Sequence, residues 1–322
     1  MRLSVGVRRS FGEGAFKMQH THAPNGRFFN WFRRYIWLPS KLIFTPVALL
    51  CIAYIIWLSR LDLITLWGAS NGKLLIIACM LLGAAHFFSP LASRKVLQSL
   101  GVNVEYRVLL RTHMLRLPAR YLPGGVWHTI GRAVDLHEHG VNRAIIGWMV
   151  VLENGLAICM AFMLGWVLLQ ISGLMPNSLD GVTSLIASSA FMMLICLPVV
   201  LHKFWRTTMQ NLSVAKWVAC CAWFAVIWAF HAFAFVAYSM ALVGSRTVTE
   251  ALNTAGVYLF SWGIGLAAFF APQGIGVFEV AVTMFAGQSL LPGAIAMVAG
   301  FRLCMLIVDL CLGLGGRLVV RR

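Results

Sequence analysis

Four ionisable side chains in this sequence stand where few charges belong. Glu153, Glu279 and Asp309, three of only ten acidic residues, fall inside long apolar runs, and Arg302 is the single basic residue that does so. A charge at the centre of a bilayer costs roughly 2.5–3.5 kcal/mol on insertion scales, so each should be paired, protonated or water-facing. Arg302 and Asp309 are seven residues apart, two helical turns, so they point to similar faces and could each meet a partner across a bundle. Read functionally, Glu153, Glu279, Arg302 and Asp309, together with Arg132, line a polar pathway. The alternative is a static set of ion pairs that fixes helix packing. His86 and His231 read as core or interface histidines rather than proton relays.

A second group is defined by backbone chemistry. Pro123 fixes one torsion and disfavours helix at Leu122, while Gly124 and Gly125 permit tight turning and close backbone approach. A helix beginning near Val126 would present free N–H groups at its start, with Arg120 before it and Arg132 inside it. Arg120, Tyr121, Pro123, Gly124, Gly125, His128 and Arg132 therefore form a candidate cradle for a lipid phosphate. A packing kink is the plainer alternative, with Trp127 and His128 marking headgroup depth. Residues 271–288 repeat the pattern: Pro272, Gly274 and Gly276 interrupt an apolar run, and Glu279 follows one turn later. The two Pro-x-Gly-apolar starts lie 149 residues apart, as interrupted segments do in transporters built from internal repeats.

Other chemistries find no support. There is no phosphate-binding nucleotide loop, zinc spacing, Gly-x-Ser-x-Gly turn or carboxylate dyad beside a nucleophile, so neither a catalytic residue, a metal nor a cofactor is expected. All eight cysteines sit in apolar runs and read as small buried hydrophobes.

The elements that must hold these residues follow from the bulk pattern. The sequence is 60% hydrophobic and only 11% charged, with mean hydropathy +0.81, too apolar for a soluble domain. Lipid demands that every backbone polar group be satisfied internally, so the long runs imply helices. Candidate spans fall at 42–58, 74–92, 144–169, 182–201, 217–243, 250–271 and 292–316. The 26 Lys and Arg residues cluster, with eight in 1–41, eight in 94–143, three in 202–216 and three in 317–322. The apolar runs put all four clusters on one side, a positive-inside bias with both termini cytoplasmic. That distribution accounts for the net charge of +16 as topology and headgroup contact, not nucleic-acid binding. An even number of crossings then needs one more segment, 274–290, which either crosses or re-enters. The expected fold is an all-α integral membrane protein of about eight transmembrane helices, with two Pro/Gly-broken or re-entrant elements and an inverted repeat. Residues 1–30 are expected to be a disordered basic tail and 31–322 a single membrane domain. Residues 95–120, with Arg107, Arg111, Arg116 and Arg120 in two four-apart pairs, read as an interfacial amphipathic helix.

Two stretches resemble a known family. RYLPGGVWHTIGRAVDLHEHG (120–140), followed by a span bearing Glu153, is similar to the first signature of the membrane domain of lysylphosphatidylglycerol synthases, and APQGIGVFEVAV (271–282) resembles its second. The matching positions are Tyr121, Pro123, Gly124, Gly125 and Arg132, then Pro272, Gly274, Gly276 and Glu279, with Gln273 standing where glycine is usual. The resemblance implies a flippase-like domain of a bacterial inner membrane. The sequence ends at Arg322 directly after its last span, so aminoacyl transfer is not expected. Related stand-alone domains accompany glycolipid, hopanoid or surface-polysaccharide assembly. The expected cargo is an anionic phospholipid or a polyprenyl-linked glycolipid. The alternative is a non-catalytic membrane partner of a lipid-modifying or glycosyltransferase enzyme.

Overall fold

Apolar runs of twenty to thirty residues, several of them bounded by a capping side chain or a glycine, become helices. In a computed structural model of the chain, the described residues are Trp57, Gly68 and 70–320, apart from 122–126, 176, 206–208, 210, 245–246, 269–270, 272–273, 275 and 286–293. They form α1 (Gly72–Ser99), α2 (Tyr106–Arg116), a 3-10 turn (Leu117–Tyr121), α3 (Trp127–Glu138), α4 (Arg143–Ser172), α5 (Asn177–Phe204), α6 (Val214–Val243), α7 (Val248–Ala267), α8 (Val277–Phe285) and α9 (Ala294–Val320). No strand occurs among the described residues. Five helices, α1, α4, α5, α6 and α9, are long and apolar enough to cross a membrane, as an all-α membrane protein requires. The expected tail 1–30, the run 42–58 apart from Trp57, and Pro123, Gly124, Gly125 and Pro272 lie outside the described residues.

The ends of these helices have local causes. Asn71 accepts from Lys73 N, Asn142 from Ala144 N (2.8 Å) and Ser213 from Lys216 N, each satisfying a donor that the first turn leaves open. Thr247 and Glu250 make a reciprocal capping box at the start of α7. Gly173, with φ +64°, ends α4 in the left-handed conformation that glycine reaches without strain.

The structure departs from expectation over 95–120. A single surface helix does not form there. α1 continues to Ser99, Gly101 turns the chain with φ +85°, and α2 begins only at Tyr106. α2 buries Leu109, Thr112, His113 and Met114 as it packs against α1, α3 and α9. The two arginine pairs diverge accordingly. Arg107 and Arg111 are exposed, whereas Arg116 and Arg120 reach carboxylates on other elements, Arg116 at the surface and Arg120 in the interior. The four-residue spacing put each pair on one face but could not say which face meets protein.

Three helix pairs set the frame. α1 and α6 run antiparallel, with Asn71 N bonded to Ala241 O at one end and Lys216 Nζ to Gln98 O at the other. α4 and α7 are antiparallel and very close. A Cβ on Gly165 would stand 2.6 Å from Phe260 N, and one on Gly256 2.9 Å from Leu169 N. Small residues allow this approach where lipid supplies no hydrophobic drive between helices. α2 and α9 repeat the arrangement, with Gly313 against Pro118 and Gly316 against Met114. α5 packs along α4. The buried aromatic core centres on Phe235, Tyr258, Phe278 and Phe301, where α6, α7, α8 and α9 meet.

Candidate functional site

Four arginines and four carboxylates pair off where helices meet, three pairs largely buried and one with its arginine, Arg116, 40% exposed. Arg116 of α2 grips Asp135 of α3 through Nε (2.9 Å) and Nη2 (2.5 Å), passing over Gly131, where a Cβ would clash with it at 2.6 Å. The hydrogen bonds it donates to the Asp135 carboxylate hold the guanidinium more firmly charged than usual. Arg132 of α3 reaches both oxygens of Glu153 on α4, at 3.1 and 3.2 Å, and Ser93 Oγ on α1 at 2.9 Å. That bidentate fork fixes three helices by charge-assisted bonds. Arg302 of α9 pairs with Glu279 of α8, and its guanidinium lies over the rings of Trp262 and Phe278, at 5.4 and 5.0 Å. Glu279 also accepts from Gly276 N at 2.7 Å, which closes the start of α8.

The fourth pair differs from the other three. Arg120 Nη1 lies 3.7 Å from Asp309 Oδ2, the loosest contact of the set, and Asp309 has other partners. Tyr121 donates to its Oδ2 at 3.0 Å, and His86 Nε2 meets its Oδ1 at 2.7 Å. His86 Nδ1 in turn faces His113 Nε2 at 3.2 Å. The chain Tyr121–Asp309–His86–His113 thus joins the 3-10 turn, α9, α1 and α2. Asp309 is only 2% exposed, while Arg120 retains 22%.

Arg120 owes its exposure to a cavity of about 860 Å³. Polar positions on its wall include Arg120, His86, Ser89, His128, Asn154 and His231, and most of the remainder is apolar, including Phe224, Trp228, Ile158 and Met193. Gly265 and Gly274 form part of the wall from the second interrupted segment. Gly274 has φ +64°, and a Cβ on it would lie 2.7–2.9 Å from the Gly265 backbone, so glycine alone fits this turn. His128 Nδ1 is buried with no hydrogen-bond partner among the described residues, while its Nε2 contacts Thr129 Oγ1. Val151, Asn154 and Met193, all exposed, carry the cavity to the outer face of α4 and α5.

Of the residues singled out from sequence, Arg120, His128 and Gly274 therefore meet at one cavity. Tyr121 stands behind Arg120 on Asp309, and Gly276 opens α8 with φ +85°. Arg132, Glu153, Glu279 and Arg302 sit in two ion pairs apart from the cavity wall. Arg302 and Asp309, expected on similar faces, take partners from different helices. His86 is the buried, hydrogen-bonded core histidine expected of it, but its pairing with Asp309, and His113 altogether, are what sequence reasoning missed. The only signal would have been an intramembrane aspartate in need of a partner, and nothing local connects residue 309 to residue 86. No protein-family model and no curated protein matches this sequence.

Proposed function

We propose that this chain moves a lipid with an anionic headgroup between the leaflets of a bacterial cytoplasmic membrane. The observation that carries this reading is the Arg120 cavity: one loosely held guanidinium in a largely apolar chamber that opens toward the face α4 and α5 would turn to lipid. A headgroup phosphate suits the guanidinium, and acyl chains suit the apolar opening.

The pattern of helix contacts supports an inverted repeat. Pairing α1 with α6, α2 with α7, α3 with α8 and α4 with α9 maps one half's packing onto the other. α1–α2, α2–α3, α3–α4 and α1–α4 match α6–α7, α7–α8, α8–α9 and α6–α9, and α4–α7 matches α9–α2. The ion pairs obey the same exchange with charges reversed: Arg132 on α3 with Glu153 on α4, Glu279 on α8 with Arg302 on α9. Glu153 and Arg302 are 149 residues apart, the same offset as Pro123 and Pro272. On this reading α2–α3 dips in from one side and α7–α8 from the other, and their tips meet at the cavity. At nine residues, α8 reaches about 13.5 Å, too short to cross alone. The five long helices and the run 42–58 then make six crossings, an even number that keeps both termini on one side, with α2, α3, α7 and α8 as the two pairs of re-entrant arms. The basic clusters fall on the side holding both termini, which is the cytoplasmic side. The resemblance of 120–140 and 271–282 to the lysylphosphatidylglycerol synthase membrane domain supports the same cargo class, since those stretches supply the residues at the two tips.

The test is leaflet exposure of fluorescent phosphatidylglycerol in proteoliposomes. Exchange should exceed that in empty vesicles, and Arg120→Ala should slow it about tenfold or more, the worth of a charge-assisted hydrogen bond of about 1.5–3 kcal/mol. Arg107→Ala, on the exposed face of α2, should leave it unchanged. No acceleration over empty vesicles would overturn the proposal. A scaffold for an assembly enzyme would instead tolerate Arg120→Ala in complementation.

A further inference from the structure

Resting on the reading of the cavity as an anionic-headgroup site, we infer that Asp309 and the headgroup compete for Arg120, so that lipid binding is coupled to uptake of a proton by the Asp309–His86 pair. Three observations carry this. Arg120 is the only one of the four paired arginines that lines the cavity, and its carboxylate contact is the longest, 3.7 Å. Asp309 keeps two closer partners, so releasing Arg120 does not strand it. Those partners include a histidine already hydrogen-bonded to a second histidine, a set that can hold one proton more or less by a change of tautomer with the rings in place.

The proton count is simple. In one state Asp309 is a carboxylate, His86 donates Nε2–H to it, and His86 Nδ1 accepts from His113 Nε2–H. A proton taken up by the pair rests on His86, giving an imidazolium beside the carboxylate while His113 shifts to its Nδ1–H tautomer so that its Nε2 accepts from His86 Nδ1–H, or on Asp309 as the acid. Either way the pair goes from one negative charge to none, and its claim on Arg120 falls. An anionic headgroup faces the reverse balance: with the pair charged it meets a carboxylate behind the guanidinium, and with the pair neutral it meets an uncontested cation. By linkage the headgroup must then promote protonation as much as protonation promotes its binding. Affinity therefore rises as pH falls.

The charged and titratable surroundings favour this site over the other carboxylates. Asp309 is faced by Arg120 and Tyr121 from the 3-10 turn, His86 from α1, and more distantly His128 from α3 and His231 from α6. His113 on α2 lies within the influence of Arg120, Arg132 and His128, and Arg302 on α9 acts on Tyr121. Arg116, Arg132 and Arg302 lie off the cavity wall and are each held by a carboxylate of their own, Asp135, Glu153 and Glu279, which leaves the Arg120–Asp309 contact as the one a ligand in the cavity can divide.

The experiment uses the full chain in detergent and short-chain phosphatidylglycerol, whose phosphodiester keeps its charge between pH 5 and 8. Binding to the unmodified protein should tighten by up to about tenfold per pH unit for one coupled proton, and adding lipid to weakly buffered protein should take up protons. Asp309→Asn, which keeps the shape and the Tyr121 contact, should bind at the acid-limit affinity at both pH values and take up none. Equal affinity at pH 5 and 8 with no proton uptake would overturn the coupling while leaving the headgroup site standing. Unchanged pH dependence in Asp309→Asn would overturn the assignment to this pair. No binding at any pH would instead overturn the lipid reading itself. The same slope with soluble glycerophosphoglycerol would support coupling but count against lipid as the ligand.

Discussion

Arg132 and Arg120 carry the same side chain and lie twelve positions apart, yet they do different work. Arg132 is held bidentately by Glu153 and again by Ser93, whereas Arg120 shares a crowded aspartate and looks into the cavity. Removing one side of a buried pair leaves the other charge uncompensated, at about 3–5 kcal/mol. Arg132→Ala should therefore lower the thermal unfolding midpoint in detergent markedly, and Arg132→Met with Glu153→Gln should restore most of the loss. Arg120→Ala should cost far less stability, because Asp309 keeps Tyr121 and His86. If both single alanine variants unfold alike, the distinction between a structural and a binding arginine fails.

At the scale of elements, closeness of backbones decides which glycines matter. Gly165 lets α4 touch α7, and Gly274 folds the segment before α8 onto Gly265. Gly165→Ala should cost about 1–3 kcal/mol through overpacking, and Gly274→Ala should add about 1–2 kcal/mol for its left-handed backbone. Gly147, on the same helix as Gly165 with nothing within 4 Å of a Cβ, is the control. Alanine there should be neutral or slightly stabilising, since helix interiors favour it by up to about 1 kcal/mol. Detergent unfolding of the three variants checks the ranking. The sequence marked Gly274 through its neighbours Pro272 and Gly276. It gave no comparable sign for Gly165, because a glycine at a helix contact looks like any other until the facing helix is known.

For the whole molecule, the proposed inverted arrangement predicts which turns share a side. Leu174→Cys and Val248→Cys, both at exposed positions, should react with an impermeant maleimide from the periplasmic side only. Arg107→Cys and Val214→Cys should react from the cytoplasmic side only. Labelling of all four from one side would refute the proposed topology. Each substitution lies outside the cavity wall, so transport in these variants should persist and can be measured alongside.

The apolar runs determined the all-helical class by themselves, because a chain this poor in charge has few other ways to satisfy its backbone in lipid. Proline and glycine likewise marked the two interrupted segments, since their backbone restrictions are local. The scarcity of acids even identified Glu153, Glu279 and Asp309 as residues in need of partners. Which partner each found was settled only by packing: Asp309 meets His86 across 223 positions of sequence, and Arg302 turns away from Asp309 to Glu279. A pairing depends on which helix faces which, and that choice belongs to the sum of contacts among all of them rather than to any stretch of chain.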